Sequence, residues 1–150
     1  MRRCWVLVIT KNTRVWMPPE VYLDRGMAFR EAGRWTSVLS RRRTLPKLTS
    51  NSSVQLAANA RLHLTEMEFL EPWRACPLWV GVRWSAKPGT KLRVELLAMD
   101  HDEAAAWVLT RSKVEFDPEP DPEVRFESTW DKGDVRHYVA VHRIKRFIGF

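Results

Sequence analysis

The tetrapeptide Trp-Val-Leu-Val at residues 5–8 recurs, with one change, as Trp-Val-Gly-Val at residues 79–82, which begins 74 residues later. After each copy the sequence predicts a turn, a second strand and a helix that begins at an aspartate, Asp24 or Asp100. Similarity at a fixed offset is typical of a repeated structural unit. We therefore expect two tandem, diverged ββα-β units.

Length and composition fit one globular domain. The chain has 150 residues, of which 45% are hydrophobic and 29% are charged, close to ordinary globular usage. The predicted fold is therefore α+β, a single compact domain over residues 1–150 with pseudo-repeat halves at about 1–74 and 75–150, mainly antiparallel sheet and two helices. The alternative is that a chain with eight tryptophans offers accidental matches.

Local patterns predict most of the helices and strands. Residues 5–9 are apolar at every position, which is typical of a strand covered on both faces. Residues 11–13 then favour a turn before a second strand at 14–17. Asp24 is the predicted N-cap of an amphipathic helix over 25–40. Further strands are expected at 62–69, 78–84 and 92–98, a second helix after Asp100, and a closing hairpin over 124–148.

The charge of the chain is unevenly placed. Lys and Arg number 25 against 18 Asp and Glu, a net charge of +7. Residues 1–74 hold 13 basic and 6 acidic side chains, whereas residues 75–150 hold 12 of each. This asymmetry favours an anionic partner for the N-terminal half, above all a nucleic-acid backbone. An inert solvated face is the alternative.

Two polar segments are predicted to be exposed loops. Residues 41–53 include the densest positive cluster, and guanidinium groups there would clamp phosphates with little steric demand. The predicted nucleic-acid-binding residues are Arg41, Arg42, Arg43 and Lys47. Residues 115–123 alternate acids with prolines, which favours an extended segment that either pairs with the basic loop or docks a basic partner.

The eight tryptophans divide into two predicted groups. Core packing is expected for Trp5, Trp35, Trp79 and Trp107. Positions near strand ends or turns, where an indole can stack on a base or on a partner protein, are expected for Trp16, Trp73, Trp84 and Trp130. Packing at the rim of the core is the alternative for this second group.

Cysteine usage and hydropathy predict the compartment. Cys4 and Cys76 have no paired spacing for a metal site or a disulfide framework, so two free thiols in a reducing compartment are expected. The apolar run at 4–9 is too short for a signal peptide, and no stretch approaches the length of a membrane span. The prediction is a cytoplasmic protein without membrane contact, metal or cofactor.

A His-x-Thr sequence, His63-Leu64-Thr65, lies in a predicted strand, and the offset of 74 residues relates His63 to His137. In this motif and in its duplicated plan the chain resembles the two-histidine phosphoesterases. The resemblance implies that His63 and His137 act as base and acid on a phosphodiester. It also implies that Thr65 binds the phosphate. His137 is followed by Tyr138 and Val139, so the hydroxyl residue of the second family motif is absent.

Three functional hypotheses follow. The leading hypothesis is a non-catalytic binding or adaptor domain that engages an anionic partner, most of all nucleic-acid backbone, through its basic N-terminal half without strong sequence readout. The second is a two-histidine phosphoesterase-like hydrolase, or a descendant that only binds phosphate. The third is a protein-interaction or assembly subunit that uses exposed tryptophans and the acidic-proline segment. Walker, dinucleotide, hydrolase-elbow and zinc-protease motifs are absent from the sequence.

Overall fold

The computed structural model describes residues 2–12, 14–40, 48–49, 51–57, 59–69, 79–85, 92–98, 101–111, 125–133, 135–144 and 146–148. The elements of these residues, in chain order, are β1 (Arg2–Lys11), β2 (Arg14–Val15), β3 (Glu20–Tyr22), α1 (Arg25–Ser40), β4 (Asn51–Ala57), β5 (Ala60–Phe69), β6 (Trp79–Ser85), β7 (Arg93–Ala98), α2 (His101–Arg111), β8 (Arg125–Lys132), β9 (Val135–Arg143) and β10 (Arg146–Ile148). Helices and sheets of this kind confirm the predicted α+β class.

The chain divides into two compact units. Unit 1 contains Met1–Trp73 together with Lys145–Phe150, and unit 2 contains Arg74–Ile144. The boundary between residues 73 and 74 lies one residue from the predicted division of the pseudo-repeat. Within the described residues, no helix is both long enough and apolar enough to cross a membrane.

Unit 1 is a sheet with the strand order β10-β3-β1-β5-β4, and the short β2 also pairs with β1. All of these pairs are antiparallel except that of β10 with β3. Helix α1 packs on one face because alternate strand residues point to it. The buried residues of this core are Leu7, Ile9, Tyr22, Ala28, Ala32, Leu56, Ala60, Leu62 and Leu64.

Unit 2 is an antiparallel sheet with the strand order β7-β6-β9-β8. Helix α2 packs on it through Ala104, Trp107 and Val108. The indole of Trp107 lies directly over Gly81, where a Cβ atom would come within 2.9 Å of the ring. The glycine in the second Trp-Val-x-Val copy therefore makes room for the helix.

The two units share one topology. Each has two strands, a helix and two more strands along the chain, with β2 as an addition in unit 1. Across each sheet the order is second, first, last and third strand, as β3-β1-β5-β4 in unit 1 and β7-β6-β9-β8 in unit 2. This common order supports the predicted duplication, which itself stays a prediction.

Local predictions for the helices are confirmed. Helix α1 spans Arg25–Ser40, as predicted, and the Met27 amide donates a hydrogen bond of 2.8 Å to Asp24 Oδ1. This bond is the expected N-cap, since it satisfies one of the amides that a helix start leaves open. Helix α2 begins at His101, directly after Asp100.

Three strand predictions are wrong in part. Residues 51–53 were expected in a loop but begin β4, a polar strand at the edge of the sheet. The three-residue β3 was not predicted. The expected strand over 135–148 ends at Arg143, and β10 joins the sheet of unit 1, parallel to β3. Residues 41–47 and 115–123, the cores of the two predicted loops, lie outside the described residues.

Candidate functional site

The hairpin of β1 and β2 presents two cations at its end. Asn12 has a φ of 53°, a left-handed conformation that asparagine tolerates and that tight hairpin turns require. The Asn12 amide donates to the Asn59 carbonyl at 2.8 Å, and Asn59 Nδ2 donates to Asn12 Oδ1 at 3.0 Å. These bonds fix a register in which Lys11 and Arg14 lie directly opposite each other.

Such an opposed pair of like charges is unfavourable for the hairpin by itself. Both residues are exposed, and neither forms an ion pair with a carboxylate in the described part of the chain. An anion bound between them would remove the repulsion, so this position is suited to a phosphate.

Trp16 extends the same surface. Its amide donates to the Ile9 carbonyl at 2.8 Å, which sets Trp16 on the same side of the hairpin as Lys11 and Arg14. The Lys11 ammonium lies 5.3 Å from the centroid of the Trp16 ring, a cation–π contact. Although it is a large aromatic residue, Trp16 remains 45% exposed.

Helix α1 supplies the other part of this surface. The rings of Trp16 and Trp35 meet edge to face, with centroids 6.0 Å apart and an interplanar angle of 85°. The Arg34 guanidinium lies 4.6 Å from the Trp35 centroid, and Arg34 Nε donates to Glu31 Oε1 at 2.9 Å. We refer to Lys11, Arg14, Trp16, Arg34 and Trp35 as the Trp16 cluster.

The side of Trp35 that faces the core is tightly packed. It borders a crevice that has no room for a water-sized sphere and is lined by Leu7, Ile9, Met17, Pro18, Glu20 and Trp35. The Glu20 carboxylate in this crevice is buried and accepts a hydrogen bond from the Tyr22 hydroxyl. The crevice fixes the indole of Trp35, and any ligand of the cluster must bind on its solvent side.

Other exposed cations of unit 1 also lack a described carboxylate partner. Arg25 packs over Phe29 at 4.7 Å, Arg30 is solvent-exposed, and Arg61 donates to the Ser53 hydroxyl. These three residues add to the positive potential of Lys11 and Arg14.

In unit 2 most described arginines are neutralised. Arg83 and Arg111 both contact Glu95, at 3.1 and 3.6 Å, and Arg136 contacts Asp131 at 3.1 Å. Arg93 and Arg143 are exposed there without a described carboxylate partner. The unit difference in net charge is therefore also a difference in how the charges are paired.

The predicted phosphate-binding residues Arg41, Arg42, Arg43 and Lys47 lie outside the described residues. They follow directly on the C-terminal end of α1 at Ser40. Sequence reasoning named Trp16 as a surface position but did not single out Lys11, Arg14 or Arg34. The available signal was a tryptophan that follows a short turn with a cation on either side.

His63 lies in a chain of polar side chains. Its Nε2 is 3.2 Å from Thr10 Oγ1 and its Nδ1 is 3.3 Å from Ser53 Oγ, while Arg61 donates to that same Ser53 oxygen from Nε and Nη2. Because the Ser53 oxygen accepts from Arg61, its hydroxyl donates to Nδ1 and the Nε2 proton is directed to Thr10. Burial, and then the charge of Arg61, lower the pKa of His63 to about 4. The ring is neutral and only 4% exposed.

The strand registers do not make His63 and His137 equivalent. Val8 lies opposite His63, whereas Val82, 74 residues after Val8, lies opposite Ala140. His63 also points away from the face on which α1 packs, since its neighbours Leu62 and Leu64 fill that core. The offset of β6 from β1 is therefore not kept by the strands that bear the histidines.

The three residues of the two-histidine hypothesis are placed as follows. Thr65 lies two residues from His63 on the same face of β5, in unit 1. His137 lies in β9 of unit 2, opposite Ser85. No described contact favours catalysis by this set, and the hypothesis stays a prediction.

The described residues contain no group of three or more His, Cys, Asp or Glu side chains that could hold a metal ion. Burial raises the pKa of the Cys4 thiol to about 12, so this sulfur is protonated and unreactive at neutral pH. Cys76 lies outside the described residues. No protein-family model, curated protein or solved structure matches the chain.

Proposed function

We propose that this protein is a non-catalytic binding domain that engages the backbone of a nucleic acid through the basic surface of unit 1. The observation that carries the proposal is the direct opposition of Lys11 and Arg14 across the β1–β2 hairpin. Folding alone would disfavour this pair, whereas a bound phosphate would stabilise it.

The distribution of charge supports the same function. Unit 1 has exposed cations that no described carboxylate neutralises, at Lys11, Arg14, Arg25, Arg30 and Arg61. Arg41, Arg42, Arg43 and Lys47 add four more positive charges to the same half of the sequence. Backbone contacts of this kind give affinity and orientation but little sequence readout.

Binding to short single- and double-stranded DNA and RNA at two salt concentrations tests this proposal. The double variant Lys11→Glu/Arg14→Glu should bind at least about tenfold more weakly and should reduce the slope of log affinity against log salt by about 2. The triple variant Arg41→Glu/Arg42→Glu/Arg43→Glu should have an effect in the same direction.

The matched control is Arg93→Glu/Arg143→Glu, which makes the same charge change at exposed, unpaired arginines of unit 2. This control should retain most of the affinity and the full salt slope. The proposal is lost if both unit 1 variants bind as the wild type does, or if the control loses as much affinity as they do.

A further inference from the structure

We infer that the Trp16 cluster is a stacking site for an unpaired base, so that the protein binds single-stranded nucleic acid in preference to duplex. This inference rests on the proposed function and adds the part of the nucleic acid that the site recognises. Its starting point is an unusual exposure. Among the tryptophans whose side chains the structure describes, Trp5, Trp16, Trp35, Trp79, Trp84 and Trp107, Trp16 alone is exposed.

The exposed ring is held in place. Trp35 supports it at 6.0 Å from inside, and the backbone bond from the Trp16 amide to Ile9 fixes the start of the side chain. An aromatic ring that is already ordered loses little conformational entropy when it stacks on a base. Base–aromatic stacking is also tolerant of sequence, since every base has a π face.

The cations around the ring select the partner. Lys11 lies over Trp16 at 5.3 Å, a distance comparable to that between the base and the phosphate of one nucleotide. Arg14 is on the same side of the hairpin, and Arg34 lies over Trp35. A base on Trp16 would thus have its phosphate beside Lys11 and Arg14, which matches the combination of aromatic platform and cationic track in single-strand binding proteins.

Duplex ends and grooves do not satisfy this geometry. Inside a double helix each base face is covered by its neighbours, so an indole on a protein surface reaches only bases that are unpaired. The other exposed hydrophobic side chains, Met27, Val38 and Leu109, have no π face and cannot replace Trp16 in this role.

The experiment compares a fluorescent oligothymidylate with an abasic strand of equal length, each at low and at moderate salt. Wild-type protein should bind the oligothymidylate about 5- to 100-fold more tightly than the abasic strand. Trp16→Ala should abolish that difference without changing the salt slope, and Trp16→Phe should keep much of it. Leu109→Ala, which removes exposed apolar surface from α2 in unit 2, should change neither quantity. Far-UV circular dichroism verifies that each variant is folded.

The outcomes separate this inference from the proposed function. Equal, salt-dependent binding of both strands by the wild type would overturn the stacking site and leave backbone binding intact. Retention of the preference by Trp16→Ala would also overturn the stacking site. Absence of binding to either strand at low salt would overturn both, and the exposed indole would then be an anchor for a protein partner.

Discussion

The two units share a topology but use their aromatic and basic residues differently. Unit 2 buries Trp79, Trp84 and Trp107. It also places Glu95 between two arginines. Unit 1, with the same strand order, leaves Trp16 exposed and sets Lys11 opposite Arg14. Since the fold does not need these last features for its stability, the comparison indicates that unit 1 holds the binding surface and that unit 2 is the more self-contained structure.

The largest expected effect breaks the comparison at its tryptophans. Trp107→Ala removes a buried indole from above Gly81, and we expect it to lower the free energy of unfolding by about 3–5 kcal/mol. Trp16→Ala removes an exposed indole and should cost no more than about 1 kcal/mol. Urea unfolding of the two variants measures both. Equal losses would mean that Trp16 is a core residue of unit 1.

The next effect belongs to the polar chain of unit 1, because Ala140 stands in unit 2 where His63 stands in unit 1. The pKa of His63 falls from its ordinary value of 6.5 to about 4 in the folded protein, mainly through burial. The unfolded chain therefore binds a proton there that the folded chain does not bind between these pH values. Stability should rise with pH across this window, and the His63 contribution is lost as the pH falls from 6.5 towards 4.

The loss should amount to about 3 kcal/mol at the lower end of the window. It is measured as the difference in unfolding free energy between the wild type and His63→Gln as a function of pH. This difference removes the contribution of every other titrating group. Identical pH dependence in the two proteins would show that His63 is protonated equally in the folded and unfolded states.

The smallest effect concerns the paired arginines of unit 2. Glu95→Gln leaves Arg83 and Arg111 without their carboxylate and gives unit 2 unpaired cations like those of unit 1. We expect a loss of less than about 1 kcal/mol, because these are surface ion pairs, and a smaller loss at high salt. Glu68→Gln, which removes one long contact of 3.8 Å with Arg3, is the control and should have no measurable effect. A larger loss for Glu95→Gln that salt does not reduce would indicate a packing role.

Sequence reasoning was most successful where the signal is local. The spacing of Ala28, Ala32, Trp35 and Leu39 predicted α1, and Asp24 predicted its start. It failed for β4, whose Asn-Ser-Ser start is typical of a loop but is accepted at a sheet edge. It also failed for β10, because nothing in residues 146–148 indicates a parallel partner as distant in the chain as β3.

The candidate site shows the same division. The charge asymmetry, the short turn after Lys11 and the surface position of Trp16 were predictable from the sequence. The opposition of Lys11 to Arg14 and the support of Trp16 by Trp35 depend on strand register and on where α1 lies. The proposed equivalence of His63 and His137 rested on counting along the chain, which strand pairing does not follow.

The sequence by itself determined the α+β class, both helices with their N-terminal starts, most strands, and the excess of positive charge in the first half. These properties depend on neighbours within a few residues or on composition, so they are present before the chain folds. Only the tertiary structure decided the strand order, the exchange of β10 into unit 1 and the exposure of Trp16. Each of these depends on which distant segments pair and cover one another, and that is set by burial of the two cores rather than by any local pattern.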